Sequence, residues 1–527
     1  MELPTWAAYL AAGLLTVLFL KAVLRRGSGR RTYNLPPGPK PWPVIGNLNL
    51  MGPLPHRSIH ELSKRHGPLM QLRFGSMAVV IGSSAGVARL FLKTHDAAIA
   101  DRPRFAIGRH TAYDCTDILW SNYGAYLRQA RRICAAELFS AKRLESFEHI
   151  RDEEVRATLR GLRRASSSSG QATVRLRDHL NMLTLGVISR MVLGKKYVGE
   201  EEEEKAAEGC FSPPAATPAE FREMVDEFFV LNGAFNIGDF LPWLDWMDLQ
   251  GYVRRMKKTA HMFGRFLDRI LEEHNERRRR EGEGFVARDM VDVLLQLADD
   301  PNLEVPLTRD NVKAITQDLV IGGTDTSSMT MEWAISELLK NPKCLVMASE
   351  ELDRVVGRDR LVSERDLPHL PYIEAILKET MRVHPAAPVL APHVAHEDVS
   401  MGGYDIPAGT TVFINVWSIG RDPVAWDAPD EFHPEWFMVN KVDVRGHDFE
   451  LLPFGSGRRM CPGYSLALKV MLLSIANLVH AFEWRLPDGT TEEELDMEEV
   501  FLLAMPRKVP LEVVLQPKLP AHLYAGV

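Results

Sequence analysis

The chain has 527 residues, of which 46% are hydrophobic and 25% are charged, so it can bury the core of an ordinary globular protein. A net charge of −7 argues against a nucleic acid as its main partner. The five cysteines are widely spaced and no two have zinc-ligand spacing, which argues against a disulfide framework or a structural zinc site and fits a reducing compartment.

The first predicted element is a membrane anchor at residues 1–25. Residues 3–24 are apolar apart from Lys21, and a helix of that length measures ~33 Å, enough to cross a bilayer core of ~30 Å. Four arginines follow between residues 25 and 31. A cleaved signal peptide is the weaker interpretation, because its charges precede the apolar run. The positive-inside rule predicts a lumenal N-terminus and a cytosolic body.

The remaining chain is predicted to form a basic, proline-rich hinge (26–45), one catalytic domain (46–520) and a short tail (521–527). The hinge sequence LPPGPKPWPVIGN indicates a stiff connector, because proline fixes φ and removes donors. The segment LMQLRFGSMAVVIGS predicts two short strands, and the chain from about residue 140 to 339 is mostly helical in pattern. We therefore predict a mainly α fold with a small β part.

The segment PFGSGRRMCPG (453–463) contains the most informative cysteine. Cys461 precedes Pro462 and an apolar helix, whose free N–H groups and partial positive charge favour a thiolate of lowered pKa. Arg459 adds a cation, and three glycines allow close approach of a flat ligand. Haem fits this pattern, because its iron accepts a thiolate and its propionates need cations.

This segment resembles the haem-ligand signature of the cytochrome P450 family. The matching residues are Phe454, Gly457, Arg459, Cys461 and Gly463. The resemblance implies the cytochrome P450 fold, a triangular helical prism enclosing haem b, with Cys461 as axial ligand of the iron and the other four as cofactor-binding residues. It extends over nearly the whole chain and is strongest to plant microsomal enzymes of specialised (secondary) metabolism, the flavonoid 3'-hydroxylase-like group.

Two further segments follow the order of the family. KETMRVHP places Glu379 and Arg382 three residues apart on one helix face, where they can pair, and the resemblance implies a structural role. DLVIGGTDTSS interrupts an apolar helix with two glycines and polar side chains. Here the resemblance implies that Asp325 and Thr326 are catalytic and deliver protons during oxygen activation.

Other positions both match and depart from the family pattern. Arg131 and His393 stand where the family contacts a haem propionate. Leu127 replaces a tryptophan beside Arg131, and Trp436 replaces an arginine that completes the network of the Glu-x-x-Arg pair. We therefore expect weaker haem retention than in relatives, or a replacement donor nearby such as His433.

The resemblance also implies a substrate pocket with mainly apolar walls, suited to a flat phenolic compound or a hydrocarbon. The predicted pocket residues are Ile107, Val320, Gly322, Gly323, Val389, Leu390, Leu502 and Leu503.

The implied activity is that of a haem-thiolate monooxygenase, which inserts one oxygen atom of O₂ into a flavonoid, phenylpropanoid or terpenoid. The chain has no Walker or Rossmann fingerprint, so NADPH acts indirectly through a membrane-bound reductase. Candidate docking cations are Arg128, Arg132, Arg458 and Lys469. Cytochrome b5 and membrane lipid are further expected partners, and the expected location is the endoplasmic reticulum membrane, as a single-pass protein with a cytosolic catalytic domain.

Two alternatives remain open from the sequence. A haem-thiolate isomerase or lyase is disfavoured, because it needs no proton relay and Asp325 and Thr326 are present. A haem-binding protein with impaired turnover is the second alternative, suggested by Leu127 and Trp436.

Overall fold

The computed structural model describes residues 33–167, 173–197 and 217–525, together with positions 13 and 16. The predicted membrane anchor and residues 26–32 of the hinge therefore lie outside the described residues, apart from those two positions. Within the described ranges, Tyr464–Ala481 is the one helix long and apolar enough to cross a membrane, and 67% of it is buried in the protein. It is accordingly a core helix.

The fold is mainly helical, as the sequence predicts. The α-helices of the described ranges are Pro55–His66 (α1), Ala85–Arg89 (α2), Ala106–Thr111 (α3), Ala125–Ile133 (α4), Ala141–Ser146 (α5), Glu148–Ser167 (α6), Leu176–Leu193 (α7), Pro218–Gly233 (α8), Ile237–Phe240 (α9), Tyr252–Glu281 (α10), Met290–Ala298 (α11), Arg309–Gly322 (α12), Asp325–Lys340 (α13), Pro342–Val355 (α14), Pro371–Val383 (α15), Val416–Ile419 (α16), Glu435–Val439 (α17) and Tyr464–Ala481 (α18). Short π-helical turns follow α2 and α4 at Leu90–Thr94 and Cys134–Leu138.

The β part is small and divided among three sheets. The strands are Leu69–Phe74 (β1), Met77–Gly82 (β2), Val174–Arg175 (β3), His393–Val394 (β4), Val399–Met401 (β5), Tyr404–Ile406 (β6), Thr411–Ile414 (β7), Phe482–Arg485 (β8) and Glu512–Pro517 (β9). The largest sheet has the order β1-β2-β7-β4, and the others are β3-β9-β8 and the hairpin β5-β6. The predicted first hairpin is confirmed, with Leu69 opposite Gly82 and a turn at Gly75, whose φ is +56°.

Helix α13 lies at the centre of the molecule. Nearly every one of its side chains is buried, between α7 on one side and α18 on the other. The Trp333 indole N–H donates a 2.8 Å hydrogen bond to the carbonyl of Met505, which fixes the C-terminal segment against this helix. A polar break at Gly323 and Thr324 separates α12 from α13, where the sequence predicts an interruption.

The described part of the hinge packs against the sheets. The Asn34 backbone N–H donates to the Asp405 carboxylate, and its side-chain amide donates to the carbonyl of Gly403. The Gln71 N–H donates to the carbonyl of Pro37 at 2.8 Å. At the other end, Tyr524 is 3% exposed and its hydroxyl donates to the carbonyl of Ala481. Both terminal segments of the described chain therefore belong to the folded body.

Glu379 and Arg382 form the expected pair on α15. They are 1% and 3% exposed, and two hydrogen bonds of 2.7 Å join the guanidinium to the carboxylate. Arg382 also donates to three backbone carbonyl oxygens, those of Gly420, Pro429 and Glu431. A buried ion pair is tolerated when its remaining donors are satisfied in this way.

The structure shows what stands in place of the arginine missing at Trp436. The His433 backbone N–H donates to Glu379 at 2.7 Å, whereas the His433 imidazole turns to Glu431. The replacement donor is therefore the main chain of His433 and not its side chain. Trp436 packs against Trp426 with ring centroids 4.4 Å apart, and the Trp426 ring lies 5.1 Å from the Arg382 guanidinium carbon.

Candidate active site

The cysteine loop is a tight turn between residue 453 and α18. Gly457 has φ +67°, and a Cβ there would lie 2.4 Å from the carbonyl oxygen of Leu92, so only glycine fits. The Cys461 N–H donates to the carbonyl of Phe454 at 2.9 Å and closes the loop. At Gly463 a Cβ would meet nothing closer than the Phe139 ring at 3.7 Å.

Cys461 lies on the wall of a large internal cavity. The sequence predicts a thiol of lowered pKa, but in the protein burial raises the pKa of Cys461, and the Gly463 N–H and Arg131 only oppose that effect. Helix-end electrostatics alone therefore do not ionise the sulfur. A metal cation bound to the sulfur would supply the missing stabilisation, because a metal deprotonates a coordinating thiol.

Four basic side chains converge on the same cavity. Arg459 donates to the carbonyl oxygens of residues 100, 118 and 121, and Arg102 donates to those of residues 119, 391 and 392. Arg131 donates no hydrogen bond to the described residues and lies on the cavity wall. His393 is 3% exposed and bonds through Nδ1 to the carbonyl of Ile99 at 3.0 Å.

None of these four basic groups forms a salt bridge with any of the described residues. Burial lowers the pKa values of Arg102, Arg131 and His393 and brings that of Arg459 to about 10; neighbouring arginines lower those of Arg102, Arg459 and His393 further. A cluster of mutually repelling cations at a cavity wall favours a dianionic ligand at that place. The two carboxylates of a haem group meet this requirement.

The cavity has a volume of about 1010 Å³ and mainly apolar walls. Seven of the eight predicted pocket residues line it: Ile107, Gly322, Gly323, Val389, Leu390, Leu502 and Leu503. Val320 is not among the residues that line the cavity: its side chain is 1% exposed and packs in the helical core, while its neighbours Leu319 and Ile321 line the cavity. Successive residues of a helix point about 100° apart, which accounts for the difference.

The α12–α13 break also forms part of the cavity wall. The Thr326 hydroxyl donates to the carbonyl of Gly322 at 3.0 Å and lines the cavity. Asp325 instead points away from the cavity and is 6% exposed. Burial, reinforced by Asp226, raises the pKa of Asp325 to about 7, while Arg222 and Arg177 oppose the shift. Thr326 and Asp325 therefore place a hydroxyl group on the cavity wall next in sequence to a carboxyl group whose pKa is near neutrality.

Among the charged residues that line the cavity, sequence reasoning missed Arg102, Asp117, Asp239 and Asp318. Arg102 belongs to the short sequence DRPRF, which carries no spacing signal. Asp117 and Asp318 come from distant segments and meet only in the folded chain.

The residues present fit a haem group. The Cys461 sulfur, the basic cluster and the uncrowded Gly463 surround one cavity, and Thr326 also lies on its wall. Phe454 also lines this space, with its ring centroid 6.3 Å from that of Tyr464. Thiolate, cations and an apolar enclosure are the features by which proteins hold and tune haem iron.

The four candidate docking cations lie on the cysteine side and are all paired. Arg128 and Arg132 share Glu304 at 3.7 and 3.3 Å. Arg458 contacts Asp96 at 2.9 Å and the Tyr123 hydroxyl at 3.0 Å, and Lys469 contacts Glu364 at 2.9 Å. All four side chains are nevertheless more than one third exposed, so a partner protein could still contact them.

Comparisons with known proteins agree with this geometry. The family model described as Cytochrome P450 matches residues 36–511. The chain is 50% identical to a trimethyltridecatetraene synthase of Zea mays, over 98% of this chain and 95% of that protein. It is 45% identical to a flavonoid 3'-monooxygenase of Petunia hybrida, over 97% and 99% of the two chains. A solved zebrafish cytochrome P450 with abiraterone superposes with a TM-score of 0.71 at 26% identity, covering 88% of this chain and 100% of that one.

Proposed function

Because the chain belongs to the cytochrome P450 family, we propose that its cavity is the active site of a membrane-anchored terpenoid oxidase, with Cys461 as the iron ligand. The chain is a haem-thiolate monooxygenase that uses haem and, through a reductase, NADPH. When bound, haem supplies activation of O₂ for insertion of one oxygen atom, with two electrons and two protons reducing the other atom to water. We therefore favour a monooxygenase over the isomerase, lyase and inactive-protein alternatives.

The residues of the chain divide the remaining work. Arg102, Arg131, Arg459 and His393 would hold the propionates, and Cys461 would bind iron as an anion. The Thr326 hydroxyl would pass protons into the cavity, and Asp325 would return the proton from the outer side. The apolar walls would exclude bulk water and orient the substrate in the cavity. The Glu379–Arg382 pair would fix α15 to the neighbouring backbone.

A terpenoid substrate is supported by two observations. The two maize relatives at 50% and 48% identity are named trimethyltridecatetraene synthase and dimethylnonatriene synthase. The cavity walls are predominantly apolar, as a flexible hydrocarbon chain requires. A flavonoid is the second candidate, because relatives named flavonoid 3'-monooxygenase are 45% and 43% identical over nearly the full length.

Membrane attachment is supported by an exposed apolar surface. Trp42 is 62% exposed, and Trp243 and Trp246 are 62% and 82% exposed. Both segments attach to the β1–β2 turn, since the Gly75 N–H donates to the carbonyl of Ile45 and the Ser76 N–H to that of Phe240. Tryptophan is favoured at the membrane–water interface. This surface supports contact with a membrane. We propose with it an anchor at residues 1–25, a hinge to residue 45, a body from residue 46 to 520 and location at the endoplasmic reticulum.

A carbon monoxide difference spectrum of the reduced protein tests the iron ligand. We expect the long-wavelength Soret band of a thiolate complex, absent in Cys461→Ser, whereas Cys134→Ser, a buried cysteine outside the loop, keeps it. A band typical of histidine ligation in the wild type would overturn the assignment.

Turnover with reductase and NADPH tests the substrate. Acyclic terpenoid alcohols and hydrocarbons are compared with flavonoids, and product is measured against NADPH consumed. We expect coupled oxidation of a terpenoid. Coupled oxidation of flavonoids alone would replace this substrate class with the second candidate.

A further inference from the structure

Residues 118–121, the bridging segment, link the cofactor-facing arginines to helix α12. On one side the carbonyl oxygens of the segment accept hydrogen bonds from both arginines. Arg102 Nε donates to Leu119 at 3.0 Å, and Arg459 donates to Ile118 at 3.3 Å and Ser121 at 2.5 Å. The position of each guanidinium therefore depends on the position of this segment.

The N–H groups of the bridging segment bond to two carboxyl groups. The Ile118 N–H donates to Asp318 Oδ2 at 2.7 Å. The Trp120 N–H donates to Asp117 Oδ1 at 2.8 Å. Because Asp318 belongs to α12, the bond from Ile118 ties the segment to a helix that also lines the cavity.

The bridging segment brings the two carboxyl groups close together, because Asp117 directly precedes Ile118, whose N–H bonds to Asp318, and within the described residues neither carboxyl group forms a salt bridge. Two neighbouring carboxyl groups in such an enclosure repel each other unless one of them keeps its proton. Burial, the largest cause, raises the pKa values of both, that of Asp318 to about 7, and the charge of Asp318 raises that of Asp117 further.

Other titratable groups near the pair do not replace this proton. Arg102 and Arg459 face Asp117 and favour its ionised form. The remaining titratable neighbours are Cys115, Tyr126 and Cys134. Burial raises their pKa values, so they are neutral at physiological pH. The arginines therefore oppose the shared proton, and the enclosure and the neighbouring carboxyl favour it.

We propose that Asp117 and Asp318 are positioning residues that share one proton and hold the bridging segment, and through it Arg102 and Arg459, in place for the cofactor. This inference rests on the proposed haem site. Loss of the shared proton leaves two adjacent carboxylates, whose repulsion separates the segment from α12. Arg102 and Arg459 are then no longer held in position to bind the haem propionates.

The expected pH dependence follows from the sign of the shift. The pKa of each carboxyl is raised in the folded protein, so the folded state holds more protons than the unfolded state near neutrality. Asp318 ionises at about pH 7, and its charge raises the pKa of Asp117 further, so the pair still holds one proton after that step. The anchor is therefore complete at mildly acidic pH and is lost above the pKa of Asp318, as Asp117 ionises, opposite to an aspartate in a salt bridge.

Asp318→Asn gives a sharp test, because an amide oxygen can accept the Ile118 N–H while its NH₂ donates to Asp117 without a titrating proton. Hydrogen exchange of peptides covering residues 118–121 is measured on the holoprotein from about pH 6 to pH 9 and corrected for intrinsic exchange. In the wild type we expect corrected exchange to rise by up to about tenfold per pH unit, the limit for release of one proton. Asp318→Asn and Asp117→Asn are expected to show no slope.

Asp310→Asn is the matched control, since Asp310 lies in the first turn of α12 with a 64% exposed side chain and should keep the wild-type slope. Transfer of haem to apomyoglobin is a second readout and should accelerate with pH in the wild type and control only. A wild-type slope in Asp318→Asn, or failure of that variant to retain haem at any pH, would overturn the proposal. The carbon monoxide spectrum separates this failure from failure of the Cys461 assignment.

Discussion

Replacing Arg382 with methionine measures how much the buried ion pair of α15 stabilises the fold. The guanidinium makes two hydrogen bonds of 2.7 Å to Glu379 and three to backbone carbonyl oxygens. Methionine removes all of them and leaves Glu379 buried with the His433 N–H as its remaining donor in the network. Removing one partner of a buried pair costs about 3–5 kcal/mol.

This cost converts into a temperature shift. An unfolding entropy of about 2.1 cal/mol/K per residue gives roughly 1 kcal/mol for each degree over a body of this size. We therefore expect the midpoint of thermal haem loss to fall by about 3–5 °C. The assay follows Soret absorbance of the holoprotein at one fixed heating rate.

Arg255→Met is the matched control. Arg255 makes the same two-pronged contact with Glu227, at 2.7 and 2.8 Å, but its side chain is 44% exposed. An exposed pair contributes about 0–1 kcal/mol, so the midpoint should move by less than about 1 °C. Equal shifts in the two variants would show that burial does not set the contribution of the pair, and the reasoning would fail.

Three further outcomes are expected. Thr326→Ala should keep NADPH consumption but divert most of it to peroxide, because the cavity hydroxyl is lost; unchanged coupling would remove Thr326 from proton delivery. Asp325 has a pKa of about 7, raised by burial, so coupling in the wild type should change through that pH, with folding stability falling as the pH rises, and Asp325→Asn should abolish both trends. Gly457→Ala should prevent haem incorporation, because the added Cβ would lie 2.4 Å from the Leu92 carbonyl oxygen. Gly455 has a similar φ, but a Cβ there would have no contact under 3.6 Å, so Gly455→Ala should lower the folding stability by only about 1 kcal/mol. Equal haem contents in the two variants would contradict this reasoning.

The parts of the site that the sequence predicts depend on residues close together in the chain. Cys461, Gly457 and Arg459 act within one loop, so their spacing already limits the geometry. Glu379 and Arg382 share one turn of helix, and their pairing follows from helical periodicity.

The missed features depend on contacts between distant segments. Arg102 reaches the carbonyl of Ala391 across 289 positions, and Asp318 accepts from a backbone N–H 200 positions away. The choice between Val320 and its neighbours as cavity residues depends on how α12 is rotated, which tertiary packing decides. The lowered pKa expected for Cys461 omitted burial, a property of the folded chain.

The proline segment that packs on the sheets has a consequence for encounters between proteins. With the proposed anchor ending at residue 25 and the packed part of the hinge beginning by residue 33, the seven residues between them would span at most about 25 Å. Under that proposal the catalytic body would stay close to the bilayer, and a reductase in the same bilayer would reach it by two-dimensional lateral diffusion. Electron supply would accordingly scale with the surface density of the two proteins and not with their bulk concentration.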